Sequence, residues 1–286
     1  MTSPGGTLRK LIARSFVAMP GAFNAATARL IERAGFPAVY VSGAGLCNAT
    51  AGVPDIGLLS RNEVAQLAGY AARAVKIPAI VDADTGFGGP AQAAQTARVL
   101  EHAGLAGMHI EDQSTDKRCG HLPGKRLISA ERMAAKVKAA AHGRRDRDFF
   151  IIARTDARSV EGFDAAVSRA KTYLAAGADA IFPEALESAA EFREFARRVR
   201  APLLANMTEF GKSPLLSITN LSRLGFRMAI FPQTAFRVAM KSEEKCLADL
   251  RRDGTQRKWI SRMQTRKELY KLLDYDPSAA HWPITR

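Results

Sequence analysis

The sequence has few cysteines, few aromatic residues and no long apolar run. Its 286 residues include only Cys47, Cys119 and Cys246 as cysteines. Because the three are widely spaced, with no second cysteine or histidine at zinc-ligand spacing, they exclude a disulfide framework and a structural zinc site. No apolar run has the character of a secretory signal or the length of a membrane helix. These absences predict a cytoplasmic protein without a membrane partner.

Acidic residues are scarce near the start, where the first is Glu32. That would suit a transit peptide, but the same residues are needed for the first predicted strand and helix. Over the whole chain, 42 lysines and arginines against 28 acids give a formal net charge of +14. The cations are scattered and no nucleic-acid-binding signature accompanies them. A solvated basic surface and no nucleic-acid partner are therefore expected, with a basic nucleic-acid-binding protein on an inactive barrel as the alternative.

Short apolar runs alternate with amphipathic helical stretches, and no linker or change of composition divides them. The predicted strands cover residues 16–20, 38–42, 77–84, 106–111, 149–155, 180–184, 202–207 and 228–232. Eight strands, each followed by a helical pattern, predict a single (β/α)8 TIM-type barrel over residues 1–286. Residues 255–286 are surplus to the eighth unit. We expect them to form a C-terminal helical extension on a neighbouring subunit or over the barrel mouth.

Polar residues stand at the ends of these strands, where barrel enzymes carry their chemistry. Asp82 and Asp84 lie two apart on the third predicted strand, so their side chains are expected on one face and near one cation. Carboxylates without histidine or thiolate partners suit Mg²⁺ or Mn²⁺. Glu111 and Asp55 could complete the metal shell through water. The alternative is a pair of solvated turn carboxylates.

Two arginines near strand ends are candidates for binding carboxylates. Arg154 lies at the end of the fifth predicted strand, and Arg237 follows the eighth. A guanidinium group can bind a carboxylate with two parallel hydrogen bonds, so either arginine could hold an anionic substrate. A structural ion pair with Glu184 or Asp156 is the alternative for each.

A charged stretch at residues 111–126, here called the lid segment, resembles a mobile lid that carries a reactive thiol. Cys119 stands between cations and a glycine-histidine pair. Positive charge near a thiol lowers its pKa and makes it chemically useful, so Cys119 is the first candidate for a reactive residue. The alternative is a solvated loop in which a cysteine happens to sit.

Several motifs resemble the isocitrate lyase/phosphoenolpyruvate mutase superfamily. Asp-Ala-Asp-Thr-Gly-Phe-Gly occupies residues 82–88, Lys-Arg-Cys-Gly-His residues 117–121, and Ala-Arg-Thr-Asp-Ala residues 153–157. Asn-Met-Thr-Glu-Phe-Gly at 206–211 and Met-Gln-Thr-Arg at 263–266 narrow the resemblance to its 2-methylisocitrate lyase branch. The similarity spans essentially the whole chain, and the cysteine motif is specific because the mutase branch lacks that cysteine.

The resemblance implies a Mg²⁺-dependent lyase that splits 2-methylisocitrate into pyruvate and succinate in the 2-methylcitrate cycle of propionate breakdown. It also implies a barrel whose last helix is exchanged between the subunits of a homotetramer. By the same resemblance Asp82 and Asp84 bind the metal, Lys117 and His121 are catalytic, and Cys119 is the acid that completes succinate. The implied substrate contacts are Ser42, Gly43, Ala44, Cys119, Gly120, Arg154, Glu184, Asn206, Met207, Thr208, Arg237 and Arg266.

The general base and the substrate stay open. Tyr40 and Glu111 are both candidates for the group that takes the hydroxyl proton. Leu122 and Gly124 stand where many members carry arginine and asparagine, and Ala44 stands where glycine is common. The lid segment thus also resembles relatives that cleave 2,3-dimethylmalate, and oxaloacetate or isocitrate are further alternatives.

Overall fold

The computed structural model describes residues 2–118 and 120–279, and in these residues eight parallel strands form one sheet. The strand order is β6-β5-β4-β3-β2-β1-β8-β7, and a parallel bridge between Ile181 and Leu203 joins β6 to β7. The sheet therefore closes on itself, which confirms the predicted (β/α)8 barrel. The strands are β1 (Val17–Ala22), β2 (Val39–Val41), β3 (Ala79–Asp82), β4 (Gly107–Glu111), β5 (Phe150–Thr155), β6 (Ala180–Pro183), β7 (Leu204–Asn206) and β8 (Met228–Phe231).

Helices follow the strands around the outside of the barrel. They are α1 (Pro4–Arg14), α2 (Ala25–Arg33), α3 (Gly43–Leu46), α4 (Arg61–Arg73), α5 (Pro90–His102), α6 (Ala130–Gly143), α7 (Phe163–Ala175), α8 (Ala189–Arg198), α9 (Ile218–Arg223), α10 (Thr234–Asp253) and α11 (Arg266–Leu272). A capping box starts α4, with Ser60 and Glu63 each accepting a backbone N–H of the other. This pairing satisfies donors that a helix start would otherwise leave unbonded.

Helix α1 was not predicted from the sequence, because Arg9, Lys10 and Arg14 interrupt its apolar residues. Leu8 and Ile12, one helical turn apart, are nevertheless buried and pack with residues from the inside of the barrel. The cations lie on the other sides of the helix. Helix α1 therefore closes the end of the barrel at which the strands begin.

The strands are buried on both faces, as expected for a parallel sheet covered by helices. Residues such as Met19, Ile80 and Ile152 point into the barrel, whereas Val81 and Ile151 pack under the helices. This apolar filling holds the carboxyl ends of the strands at fixed positions, which is where the polar side chains begin.

Helix α10 differs from the helices that cover the barrel. Its twenty residues include none that is buried, and Val238, Leu247 and Leu250 are exposed. The chain then turns at Gly254, whose φ of 65° is in the left-handed region, and α11 packs on α2 of the same chain. The expected sites for the extension were a neighbouring subunit or the mouth, so this contact with α2 was not foreseen. Within the residues described, no helix has the length and apolarity to span a bilayer.

Candidate active site

A cavity of about 200 Å³ opens where the strands end. Most of the predicted site residues contribute to its wall. A larger cavity of about 540 Å³ beside α1 contains none of them, so the chemistry belongs to the smaller one. The smaller cavity is lined by Tyr40, Ser42, Ala44, Asn48, Asp55, Asp82, Glu111, Lys117, Arg118, Gly120, His121, Arg154, Phe182, Glu184, Asn206, Thr208, Ile230, Pro232, Gln233 and Arg237.

Asp82 and Asp84 come together by a turn and not by strand alternation. Strand β3 ends at Asp82, and Asp84 has a φ of 49°. The backbone N–H of Asp84 donates to Asp82 Oδ1 at 2.9 Å, which closes the turn. The prediction that both side chains leave one face of a strand was therefore wrong, because the strand is shorter than the sequence suggested. The two carboxylates are close all the same.

Carboxylates surround the ammonium group of Lys117. Its Nζ lies 2.5 Å from Asp55 Oδ1 and also contacts Asp84 Oδ1. Burial alone would lower the pKa of Lys117, but Asp84, Glu111 and the other nearby carboxylates raise it well above its usual value. Burial, and then the charge of Asp82, raise the pKa of Asp84 to about 7. Lys117 therefore offsets only part of the negative charge at this end of the cavity.

The donor set of this cluster fits a hard divalent cation. Among the described residues, no donor reaches Glu111 Oε1, which is buried. The same residues contain no group of three or more His, Cys, Asp or Glu side chains already in metal-binding geometry. The nearby ligands are nevertheless all carboxylate oxygens, the type that Mg²⁺ and Mn²⁺ prefer. A divalent cation would relieve the mutual repulsion that raises the pKa of Asp84.

Arg154 also lines the cavity and contacts three carboxylates. Its Nε lies 2.8 Å from Asp156 Oδ2 and 3.2 Å from Glu111 Oε2, and its Nη1 lies 3.4 Å from Glu184 Oε2. The guanidinium group also sits over the Phe182 ring, 5.1 Å from the ring centre. Arg154 therefore forms the structural ion pairs with Asp156 and Glu184 that were the alternative prediction. Its guanidinium group also faces the cavity.

His121 links the lid segment to Glu184. The backbone N–H of Lys212 donates to His121 Nδ1 at 2.9 Å, so the proton of a neutral ring is on Nε2. That nitrogen lies 2.6 Å from Glu184 Oε1. Burial alone would raise the pKa of Glu184, but the charge of Arg154 and the bond to His121 hold it well below its usual value. Glu184 is therefore an ionised, fully buried carboxylate.

Two further cavity residues, Asn206 and Ser42, are held by hydrogen bonds, and each keeps a polar group available to a substrate. Asn206 Nδ2 donates to both oxygens of Glu184 at 3.3 Å, while no donor among the described residues reaches its buried Oδ1. Ser42 Oγ accepts the N–H of Gly45 at 3.2 Å and Nε2 of Gln233 at 3.3 Å. With both lone pairs used, the Ser42 hydroxyl keeps its own proton for an acceptor in the cavity.

The base of the lid segment is held by two buried side chains. The amide of Gln113 both donates to and accepts from the backbone of Arg118, at 2.8 and 3.0 Å. Asp112 accepts the N–H of Asp156 at 2.9 Å and the Tyr173 hydroxyl at 2.7 Å. The lid segment and the end of β5 are thereby tied together.

Some predicted residues do not line the cavity. Gly43 packs directly against Asp82, and Met207 is buried behind the wall, where its Sδ accepts the N–H of Leu216 at 3.3 Å. Asp84 reaches the site through Lys117. Arg266 is exposed at the start of α11 and away from the cavity. Cys119 lies outside the described residues, between two neighbours that line the cavity.

Sequence reasoning missed several cavity residues. Asn48, Gln233, Phe182 and Ile230 contribute polar or apolar wall, but none stands in a pattern that indicates a site. Lys125 is likewise absent from the predicted site, although its side chain is buried. A lysine in a charged loop gives no signal of burial in the sequence.

Comparisons with known proteins agree on one family. The model of the phosphoenolpyruvate phosphomutase family matches residues 8–251. A 2-methylisocitrate lyase of Aeropyrum pernix is 51% identical over 273 residues, covering 95% of this chain and 88% of that protein. A crystal structure of 2,3-dimethylmalate lyase superposes with a TM-score of 0.90 at 34% identity, covering 96% and 92% of the two chains. A phosphonopyruvate hydrolase in complex with oxalate and Mg²⁺ gives a TM-score of 0.85 at 30% identity over 95% of each.

The hydroxyl of Tyr173 should matter for stability because it is a donor to buried Asp112. We expect Tyr173→Phe to lower the free energy of unfolding by about 1.5 to 3 kcal/mol, the usual contribution of one hydrogen bond to a charged group. Urea denaturation measures it. The matched control is Tyr70→Phe, since Tyr70 is half-exposed and its hydroxyl only accepts a bond from Gln66. Equal losses in the two variants would contradict the assigned role.

Proposed function

Because the chain belongs to the phosphoenolpyruvate phosphomutase family, we propose that it is a carbon-carbon lyase that cleaves 2-methylisocitrate into pyruvate and succinate. The relatives named 2-methylisocitrate lyase support this substrate, with identities of 51% in Aeropyrum pernix and 42% in Escherichia coli. The observation that carries the proposal is the mixed lining of one cavity. Carboxylates suited to a metal, Asp55, Asp82 and Glu111, line it together with Arg154 and Asn206. This reaction is a step of the 2-methylcitrate cycle of propionate breakdown, and the proposal therefore assigns the protein to that cycle.

The reaction is a retro-aldol cleavage, which needs one base and one acid. A base takes the hydroxyl proton of the substrate, the oxygen becomes the keto group of pyruvate, and the carbon-carbon bond opens. The electron pair of that bond stays on the succinate half, whose carboxylates delocalise it. A proton donated to that carbon completes succinate. Cys119 is proposed as this donor, as the lysine-arginine-cysteine-glycine-histidine motif implies.

Geometry favours Glu111 over Tyr40 as the base. Both residues line the cavity, but Glu111 Oε1 has no donor among the described residues, whereas the Tyr40 hydroxyl lies 2.9 Å from His109 Nε2. Burial, followed by the charge of Asp82, raises the pKa of Tyr40 well above its usual value. A tyrosine whose proton is that firmly held is a poor acceptor.

Asp82 and Asp84 are the proposed metal ligands, with Asp55 and Glu111 beside them. The Mg²⁺ in the related phosphonopyruvate hydrolase complex and the all-oxygen donor set support Mg²⁺, with Mn²⁺ as a substitute. When bound, such an ion stabilises negative charge on substrate oxygens. Lys117 holds Asp55 and Asp84 in place and supplies a fixed positive charge.

The substrate carboxylates are proposed to bind on the Arg154 side. Arg154 presents a fixed guanidinium group, and Ser42 contributes its hydroxyl proton. His121 binds Glu184 Oε1, and Glu184 Oε2 lies against Arg154 Nη1. His121 therefore helps to fix Arg154 through Glu184. Arg237, about half-exposed, supplies a cation at the rim, together with Arg118. Preorganised donors of this kind stabilise the charge that develops as the succinate half separates.

The main alternative is cleavage of 2,3-dimethylmalate. The superposed 2,3-dimethylmalate lyase structure and the lid residues Leu122 and Gly124 favour it. The two candidate substrates differ in their substituents and not in the bonds that must be broken. The same residues would serve both reactions.

We also propose that the chain acts as a homotetramer in the cytoplasm. Helix α10 extends for twenty residues without one buried residue, and Val238, Met240, Leu247 and Leu250 are exposed along it. A soluble monomer rarely leaves an apolar surface of this kind uncovered. Exchange of this helix with a second copy of the chain would bury it, which is the arrangement that the family resemblance implies.

Substrate choice is tested in parallel by pyruvate release from 2-methylisocitrate and 2,3-dimethylmalate and by glyoxylate release from isocitrate. We expect 2-methylisocitrate to be cleaved fastest, with loss of activity in EDTA and recovery with Mg²⁺. Cys119→Ser should lose most of its activity, since a serine hydroxyl is a far weaker acid than a thiol. Faster turnover of 2,3-dimethylmalate would favour the alternative substrate. If none of the three compounds is cleaved, both proposed activities are contradicted.

Metal binding can be followed without turnover, by electron paramagnetic resonance of free Mn²⁺ during titration. We expect Asp82→Asn and Asp84→Asn each to weaken Mn²⁺ binding by at least about tenfold, because each removes a charged oxygen ligand. Asp164→Asn is the matched control, as Asp164 is exposed and pairs with Arg198 on the barrel surface. Wild-type affinity in both site variants would rule out the assignment.

The role of α10 predicts a change of assembly on substitution of one apolar residue. Leu247→Glu should convert the tetramer into smaller species that stay folded, since a charge would have to be buried in the interface. Light scattering after size exclusion measures the mass against the 30.9 kDa subunit. The control is Val160→Glu, an exposed apolar position outside α10. A monomeric wild-type protein, or an unchanged mass for Leu247→Glu, would contradict the proposal.

A further inference from the structure

Lys125 is a buried lysine among exposed neighbours, since Leu122, Pro123, Gly124 and Arg126 are all exposed. Its side chain is 1% exposed and its Nζ lies 2.8 Å from Asp156 Oδ1. The same nitrogen donates to the carbonyl oxygen of Gly120. A buried ammonium group is costly unless its donors are satisfied, so its position depends on these two acceptors.

The acceptor carboxylate is shared with Arg154. Asp156 Oδ1 accepts Lys125 Nζ and also Arg154 Nη2 at 3.2 Å, while Asp156 Oδ2 accepts Arg154 Nε at 2.8 Å. Asp156 is fully buried and its backbone is fixed by Asp112. The orientation of the Arg154 guanidinium group therefore depends on the same carboxylate that binds Lys125.

The second acceptor lies where the lid segment meets the site. A Cβ on Gly120 would come within 2.2 Å of Arg154 Nη2 and 2.6 Å of Glu184 Cγ. Only a glycine lets the backbone approach this closely. Lys125 therefore binds the carbonyl group of Gly120, the residue whose backbone packs directly against Arg154 and Glu184.

We propose that Lys125 is a positioning residue that joins the lid segment to Arg154 through Gly120 and Asp156. Lys125 does not line the cavity, so it acts through these partners and does not touch the substrate. It holds the backbone next to Cys119 and sets the hydrogen bonds of the arginine that binds a substrate carboxylate. The catalytic part of this inference rests on the proposed lyase function.

The first test is Lys125→Met, which keeps most of the volume and removes the charge. With 2-methylisocitrate as substrate we expect KM to rise and kcat to fall, with kcat/KM lower by roughly 10- to 100-fold, as for loss of a residue that supports a binding group. A purely structural role would reduce the amount of active protein and leave KM unchanged. Unchanged kcat and KM would overturn the proposal.

A second measurement does not depend on the substrate. Arg118 and Arg126 are exposed trypsin sites on either side of Gly120, whereas Lys117 and Lys125 are buried. Trypsin should cut Lys125→Met after these arginines several times faster than wild type, as seen by mass spectrometry. The control is Arg144→Met, which breaks a largely buried pair with Asp179 at the other end of the barrel. Equal cleavage rates in Lys125→Met and wild type would overturn the lid part of the proposal.

Rescue with a small ammonium ion separates a missing charge from a damaged fold. In Lys125→Ala, propylammonium can occupy the space of the lost side chain, whereas propanol supplies the volume without charge. We expect propylammonium alone to restore part of the trypsin resistance and of kcat/KM. Rescue by both compounds, or by neither in a folded variant, would contradict the proposal. If the wild type turns over no substrate, the lyase function fails while trypsin still tests Lys125.

Discussion

The pairing of buried charges at the barrel mouth is the constraint on which the site depends. Arg154 is surrounded by Asp156, Glu111 and Glu184, and a carboxylate in this environment is tolerable only with a close cation. Asp156 is also bound by Lys125, and Glu184 by His121, both from the lid segment. The guanidinium group consequently has few orientations open to it. Because the side chains of such a rigid site are already ordered in the free protein, they lose little conformational entropy when a substrate binds.

The large positive charge of the chain belongs to a different part of the structure. Many of the cations lie in the last turns of helices, as Arg14, Arg33, Arg73 and Arg223 do. The partial negative charge of a helix C-terminus favours a cation there. In a barrel these helix ends lie at the end opposite the active site, where the strands begin. Much of the basic surface is thus separated from the acidic cluster by the length of the strands.

Apolar runs were enough to predict the strands and the barrel, because a parallel sheet buried on both faces leaves a clear pattern. Polar residues at the ends of those runs then predicted part of the cavity wall, and the motif resemblance supplied further residues of it. Helix α1 was missed because its two buried residues, Leu8 and Ile12, are hidden among cations. The turn at Asp84 was missed because no local residue type demands a positive φ there. Lys125 was missed as a buried group because its partners, Gly120 and Asp156, meet only in three dimensions.

Glycine backbone sets the size of the cavity at two points. A Cβ on Gly43 would come within 2.7 Å of Asp82 Oδ2, and one on Gly120 would strike Arg154. Backbone atoms can shift less than side-chain atoms. The cavity wall is therefore fixed close to Asp82 at Gly43 and close to Arg154 at Gly120. The resulting space of about 200 Å³ suits a short, multiply charged acid. Discrimination between two such acids that differ by one methyl group, as isocitrate and 2-methylisocitrate do, then falls to the apolar wall, including Phe182 and Ile230, where a methyl group is worth about 1 to 3 kcal/mol.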